Sequence, residues 1–295
     1  MTSINSFYRD PNAALYVSAL FSRSPAPSSL ATSFPATGTA STRSDAGQRA
    51  LARIIEILSL ADGESQDGAD VNESLGYVTG VSGTEGDENL TLTGRALYNV
   101  ETGGGDDSLA VKTGLMANIS TGDGNDSVKA EASAITGLDA GSGDDDVQLL
   151  GKLLMTIAGG DGNDTIKASG SALIGIDGGS GNDTLYLEGS RIFASGGTGD
   201  DTIDIHQTGT DSTAELTFAA GDGKDKVTTD GPLLLRFSGY TASDMTVSAS
   251  KDRLTITFKN SEDRITLSLE GDAATGSAPA FAFGEDNGNT VLRIL

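Results

Sequence analysis

Gly159-Gly160-Asp161-Gly162-Asn163-Asp164-Thr165-Ile166-Lys167 is the stretch that decides how this chain folds. It reads G-G-x-G-N-D-x-U-x, where U is a large apolar residue, and near-copies of it fill the middle of the sequence. With slots numbered from the first glycine, the apolar residue of slot eight falls at Leu90, Leu109, Val128, Val147, Ile166, Leu185, Ile203 and Val227. The steps between these are 19, 19, 19, 19, 19, 18 and 24 residues. Equal steps in succession mark one supersecondary unit per repeat, stacked into a solenoid.

The residue types of the motif state its chemistry. Closely spaced glycines let the backbone turn through positive φ and bring carbonyl oxygens together. Slot six then adds a carboxylate in every copy, while slot eight turns inward to a core. Oxygen donors without His or Cys suit a hard cation, and the irregular loop suits Ca²⁺ better than octahedral Mg²⁺. One loop supplies too few oxygens for Ca²⁺, so each ion is expected between stacked loops, about five to seven ions in all. The candidate ligand loops are Glu88; Gly103, Gly105 and Asp107; Gly122, Gly124 and Asp126; Gly141, Gly143 and Asp145; Gly160, Gly162 and Asp164; Gly179, Gly181 and Asp183; Gly197, Gly199 and Asp201; and Gly221, Gly223 and Asp225.

Over roughly residues 83–230 this pattern resembles the RTX (repeats in toxin) family of haemolysin-type calcium-binding proteins, whose nonapeptide has the same glycines, aspartate and apolar residue. The resemblance implies an all-β, right-handed parallel β-solenoid, similar to a β-roll, that folds on binding Ca²⁺ outside the cell. The usual β-roll places two nonapeptides in each coil. Here one nonapeptide is followed by ten other residues, so all loops should stack along one edge. That variant looks like the 19-residue solenoids of large bacterial surface adhesins, some of which bind ice. The resemblance also implies export by type I secretion machinery, which reads an uncleaved C-terminal signal. The last 30 residues are compatible with that, and the expected location is the cell surface or the medium.

The chain has 295 residues, no cysteine, no tryptophan and 40 glycines. No disulfide or thiolate site is available. Its 42 acidic residues against 19 basic ones give a formal charge of −23. Stacked acids repel, so the repeats are expected to stay loose until cations bind. Such a balance excludes nucleic acid, which demands basic patches. No apolar run approaches the 18 residues of a membrane span. The apolar segment Ala13–Phe21 follows Arg9-Asp10-Pro11, which reads as a capped helix start and not as a cleaved signal peptide.

Taken in order, residues 1–43 hold a short candidate helix and a Pro/Ser/Thr/Ala linker. Residues 44–63 hold a better one, with Leu51, Ile54, Ile55 and Leu58 on one stripe, read as a cap over the open first coil. Residues 64–230 form the solenoid, opening with a degenerate coil in which Val71 and Val81 occupy slots eight and eighteen. Slots eight and ten alternate with polar residues as a half-buried strand, and slot eighteen marks a second. Slot fifteen breaks the pattern. It reads Leu97, Met116, Ile135, Leu154, Leu173 and Ile192, where a regular strand would face water. Either the chain kinks at slot seventeen, for which Gly137 and Gly175 are suited, or an apolar ladder lies outside as an interface. The coil from Gly196 carries an insertion within His206–Thr213. Residues 231–295 read as a C-terminal β cap, with strands at Leu233–Phe237, Met245–Val247, Leu254–Phe258 and Ile265–Leu269.

Enzymatic signatures are lacking. The single His206 and the missing G-x-S-x-G elbow leave no hydrolase triad. Carboxylate pairs such as Asp106/Asp107 sit in the ion loops, and no Gly-Lys-Ser/Thr follows the glycines. The expectation is a secreted structural or adhesive protein and not an enzyme, with cell-surface components, glycans or further copies as partners. Two alternatives are a carbohydrate-binding accessory module using Tyr98 and Tyr186, and an ice-binding solenoid. Slot three (Glu85, Gly104, Asp123, Ser142, Asp161, Ser180, Thr198, Asp222) lacks the repeated threonines of an ice face.

Overall fold

The computed structural model describes residues 70–294. The helices expected over residues 1–24 and 44–60, the linker between them and Leu295 lie outside the described residues. Seven long strands come first: β1 (Asp70–Thr84), β2 (Asn89–Gly104), β3 (Ser108–Asp123), β4 (Ser127–Ser142), β5 (Asp146–Asp161), β6 (Thr165–Ser180) and β7 (Thr184–Thr198). Shorter ones follow: β8 (Thr202–Gln207), β9 (Thr213–Ala219), β10 (Lys224–Thr229), β11 (Leu233–Ser238), β12 (Met245–Ser250), β13 (Arg253–Phe258), β14 (Arg264–Leu269), β15 (Phe281–Asp286) and β16 (Asn289–Ile294). All sixteen belong to one sheet, coiled as a parallel β-solenoid of about nine turns.

Each coil from β2 to β7 is one continuous strand of 15 or 16 residues, where the sequence pattern suggests two. Stacking is parallel and in slot register, as in Leu109↔Val128↔Val147↔Ile166. The degenerate first coil joins as expected, with Val71 opposite Leu90 and Val81 opposite Val100. Slots eight, ten and eighteen line the core.

Slot fifteen lies in the core as well. Leu97, Met116, Ile135, Leu154, Leu173 and Ile192 are 0–2% exposed. The cause sits at slot seventeen, where Gly80, Asn99, Asn118, Gly137, Thr156 and Gly175 all have φ between 53° and 70°. One left-handed residue shifts the alternation, so slots fifteen and eighteen both point inward although three apart. The 18-residue step belongs to the same corner. Strand β7 pairs Phe193 with Ile174 and Ala194 with Ile176, so the slot-seventeen residue is the one missing.

After β7 the coil divides. Strand β8 continues one face through Thr184↔Thr202, and β9 continues the other through Ile192↔Ala214. The inserted residues 208–212 bridge them. All four expected C-terminal strands form. Strand β14 extends the solenoid in parallel register on β10, and β13 and β12 turn the sheet antiparallel. Strand β11 stacks on β9 and carries the β16–β15 hairpin, two strands that the sequence pattern does not announce. Arg236 bonds Glu215 of β9 and Asp286 at the end of β15 (2.7 Å), tying the hairpin to the coil beneath. Among the described residues no helix is long and apolar enough to cross a bilayer.

Candidate cation-binding edge

Slots one to six of successive coils stack along one edge, as the single nonapeptide per coil requires. Every glycine expected to serve slots two and four, from Gly103 and Gly105 to Gly221 and Gly223, has φ between 98° and 139°. Conformation is half the reason for glycine there. A Cβ on Gly122 would lie 1.8 Å from the Gly103 carbonyl oxygen, and one on Gly162 would lie 2.0 Å from that of Gly143. At every one of these positions but Gly221, the loops are stacked too closely to admit a side chain.

The slot-six carboxylates form a buried column. Glu88, Asp107, Asp126, Asp145, Asp164, Asp183, Asp201 and Asp225 are each 1–3% exposed. One oxygen of each Asp accepts the slot-six amide of the coil before it. The Asp107 amide donates to Asp126 Oδ1 (2.7 Å), that of Asp145 to Asp164 Oδ1 (2.8 Å) and that of Asp201 to Asp225 Oδ1 (2.9 Å). The other oxygen has no such partner. Oδ2 of Asp107, Asp126, Asp145, Asp164, Asp183 and Asp201 is buried and accepts no hydrogen bond.

Burial raises the carboxyl pKa values along this column. Asp107 and Asp201 rise to about 6, Asp145 and Asp183 to about 7, and Asp225 to about 8. Neighbouring negative charges add to the desolvation, and the amide hydrogen bonds only partly offset it. Asp126 and Asp164 shift upward for the same first reason.

A second column escaped the sequence reading. Slot five holds Asp87, Asp106, Asn125, Asp144, Asn163, Asn182 and Asp200, and each side chain accepts the slot-five amide of the coil after it, at 2.7–2.9 Å. The two columns therefore run in opposite senses and clamp each loop from both sides. The unbroken run of Asp and Asn in slot five was its signal. Slot one differs along the stack. Thr102 and Thr121 donate to the carbonyls of Thr121 and Ala140 (2.8 and 2.7 Å), whereas Gly159, Gly178 and Gly196 have no side chain there.

The ends of the stack depart from the middle. Both Glu88 oxygens take bonds from Thr84, at Oε1 from the hydroxyl and at Oε2 from the amide. At the other end a Cβ on Gly221 would meet nothing, and the Gly221 amide bonds Asp263 of the β13–β14 turn (2.8 Å). Asp222 folds back to accept the Ala219 amide at 2.6 Å. The two tyrosines considered for sugar contact lie apart, Tyr98 half-buried at slot sixteen and Tyr186 exposed at slot nine.

The residues fit a hard cation. A Cβ on Gly159 would fall 2.3 Å from Asp164 Oδ2 and 2.4 Å from the Gly178 carbonyl oxygen, so an orphan carboxylate oxygen and a carbonyl border one small space. The same holds around Gly178, with Asp183 Oδ2 at 2.5 Å and the Gly196 carbonyl at 2.3 Å. Among the described residues no three His, Cys, Asp or Glu side chains converge on one point. A cation on this edge would therefore draw most of its ligands from main-chain oxygens, which Ca²⁺ accepts. No family model matches the chain, and no curated protein matches it in sequence.

Proposed function

We propose that the chain is an RTX-like Ca²⁺-binding protein, a structural or adhesive solenoid that leaves the cell by type I secretion and completes its folding outside. The observation that carries this reading is the row of six buried carboxylate oxygens without partners. A buried, unpaired carboxylate is costly, and six in a row at strand spacing, about 4.8 Å apart, are costlier still. Bound Ca²⁺ neutralises the column from Asp107 to Asp225 and supplies each orphan oxygen with a partner. Since the site exists only in the folded coil, the binding energy becomes folding energy. In a calcium-poor cytoplasm the same acids repel and keep the chain export-competent, and millimolar external Ca²⁺ reverses this.

The test is a calorimetric titration of the chelator-treated chain with Ca²⁺, followed by circular dichroism. About five to seven ions should bind, with a large rise in melting temperature that Mg²⁺ does not reproduce. Asp164→Asn keeps an acceptor for the Asp145 amide and removes a charge. It should raise the melting temperature of the metal-free protein and shift the Ca²⁺ midpoint to higher concentration. A metal-free protein that is fully folded and indifferent to Ca²⁺ would refute the reading.

A further inference from the structure

Turning slot fifteen inward leaves slots fourteen and sixteen of the same strands outside. From β1 to β6, slot fourteen reads Tyr77, Ala96, Leu115, Ala134, Leu153 and Ala172. Slot sixteen adds Tyr98, Met155 and Ile174, and is otherwise Thr or Ala. Neither row holds a charged residue before Arg191 of β7. The other outward rows, slots nine and eleven, carry Lys112, Lys129, Glu131, Lys167 and Glu188, as a wetted sheet face should. Tyr77 is 65% exposed, the most exposed large apolar side chain among the described residues. On a chain of charge −23, an uncharged apolar strip of this length marks a surface that something covers.

The relief of the strip fits a second copy of itself. A two-fold axis running along the stack lays slot fourteen of one copy against slot sixteen of the other on the same rung. A bulky residue then meets a small one in four coils: Tyr77 against Thr79, Tyr98 against Ala96, Leu115 against Ala117, and Ile174 against Ala172. The borders match in charge as well. Slot thirteen holds exposed Arg95 and Lys152, and slot nineteen holds exposed Glu101, Asp139 and Asp177. The same axis brings these two borders together. Arg95 then faces the β2 rung that carries Glu101. Lys152 of β5 falls between the rungs of Asp139 in β4 and Asp177 in β6, about 4.8 Å to either side. A lipid surface would suit the apolar rows but not two borders of opposite sign. A strip about 24 Å long and three residues wide is small for an interface, so the pairing is weak and reversible.

We propose that slots fourteen and sixteen of β1 to β6 form a dimer face, joining two copies of the chain with their stacks parallel. In buffer where circular dichroism shows the folded solenoid, sedimentation equilibrium should find a concentration-dependent dimer with a micromolar dissociation constant. Leu115→Asp with Leu153→Asp, both at outward positions, should keep the dichroism and raise that constant about a hundredfold. Arg95→Glu should raise it several-fold, and adding Glu101→Arg should restore it. This charge swap decides the matter if the leucine variant does not fold. A monomer at every concentration up to about 1 mM overturns the proposal. So does a dimer that the leucine and arginine substitutions leave intact, or a charge swap that restores nothing. A monomer that binds phosphatidylcholine vesicles through Leu115 and Leu153 would assign the face to lipid and overturn it too.

Discussion

Each coil turns two kinds of corner. At the loop edge the chain needs glycine for space as well as for φ, since backbone atoms of the preceding coil would lie within about 2 Å of a Cβ added at Gly122 or Gly160. At slot seventeen the demand is conformational only. A Cβ on Gly80 would meet nothing within 4 Å, and one on Gly137 would meet the Asn118 side chain at 3.3 Å. The loop corner also buries a column of carboxylates, while the slot-seventeen corner buries leucine, isoleucine and methionine. On the proposed reading, one corner depends on what is dissolved around the protein, and the other is self-sufficient. The apolar corner sets the shape of the coil, and the polar corner holds the carboxylates whose charge the proposed reading makes decisive for stability.

The sharpest way to break this division is to put charge into the self-sufficient corner. Leu154 and Leu173 are both 0% exposed in adjacent coils. Replacing both with Asp buries two carboxylates with no amide aimed at them, at several kcal/mol each, against a total stability of roughly 5–15 kcal/mol. The double variant should show no folded β circular dichroism at pH 7, even in saturating Ca²⁺. A folded protein with a new oligomeric state in light scattering would mean that the ladder is an outer interface.

Acidity should separate the corners next. The folded pKa values of Asp145 and Asp183 (about 7) and Asp225 (about 8) lie above the roughly 3.9 of an unfolded Asp. The folded state thus binds protons more tightly than the unfolded one. The stability this contributes is complete below about pH 4 and is lost as pH rises through the window of about 6 to 8. Metal-free protein should melt higher at pH 5 than at pH 8, the reverse of ordinary acid unfolding. Adding Ca²⁺ should raise the melting temperature most at pH 8, where no protons compete. A metal-free melting temperature that climbs steadily with pH would show that the carboxylate column is not what destabilises the loop edge.

Much of this was legible from residue types at fixed spacing. The period placed every slot-eight residue from Leu90 to Val227 in the core, and the glycine pattern marked every loop. The slot-fifteen ladder was ambiguous because hydrophobic periodicity assumes regular alternation, which one left-handed residue resets. Gly137 and Gly175 carried a usable hint, and so did Asn99 and Asn118, since Asn tolerates the left-handed region better than most residues. The slot-five column was written plainly in Asp and Asn, but its role depends on amides of the neighbouring coil, which no single repeat displays. Strands β15 and β16 went unread because β15 buries little, with Phe281 half-buried and Phe283 exposed, and because β16 buries Thr290, Val291 and Leu292 in succession, without the alternation that marks a strand.

Thr156 is the weak point of the self-sufficient corner, and it gives the smallest of these effects. Its φ is 56°, in a position filled by Gly137 in the coil before and by Gly175 in the coil after. A β-branched residue in the left-handed region costs about 1–2 kcal/mol. Glycine removes that cost but adds up to about 1 kcal/mol of chain entropy to be lost on folding. Thr156→Gly should therefore stabilise by a net of about 0.5 to 1 kcal/mol, or roughly 1–4 °C in melting temperature for a unit of this size. The gain should be the same with and without Ca²⁺, because slot seventeen stands away from the loop edge. Gly137→Thr should lose about as much as Thr156→Gly gains. If the Thr156→Gly shift appeared only in Ca²⁺, the two corners would be coupled through the coil, and their separation into a conformational and a chemical turn would fail.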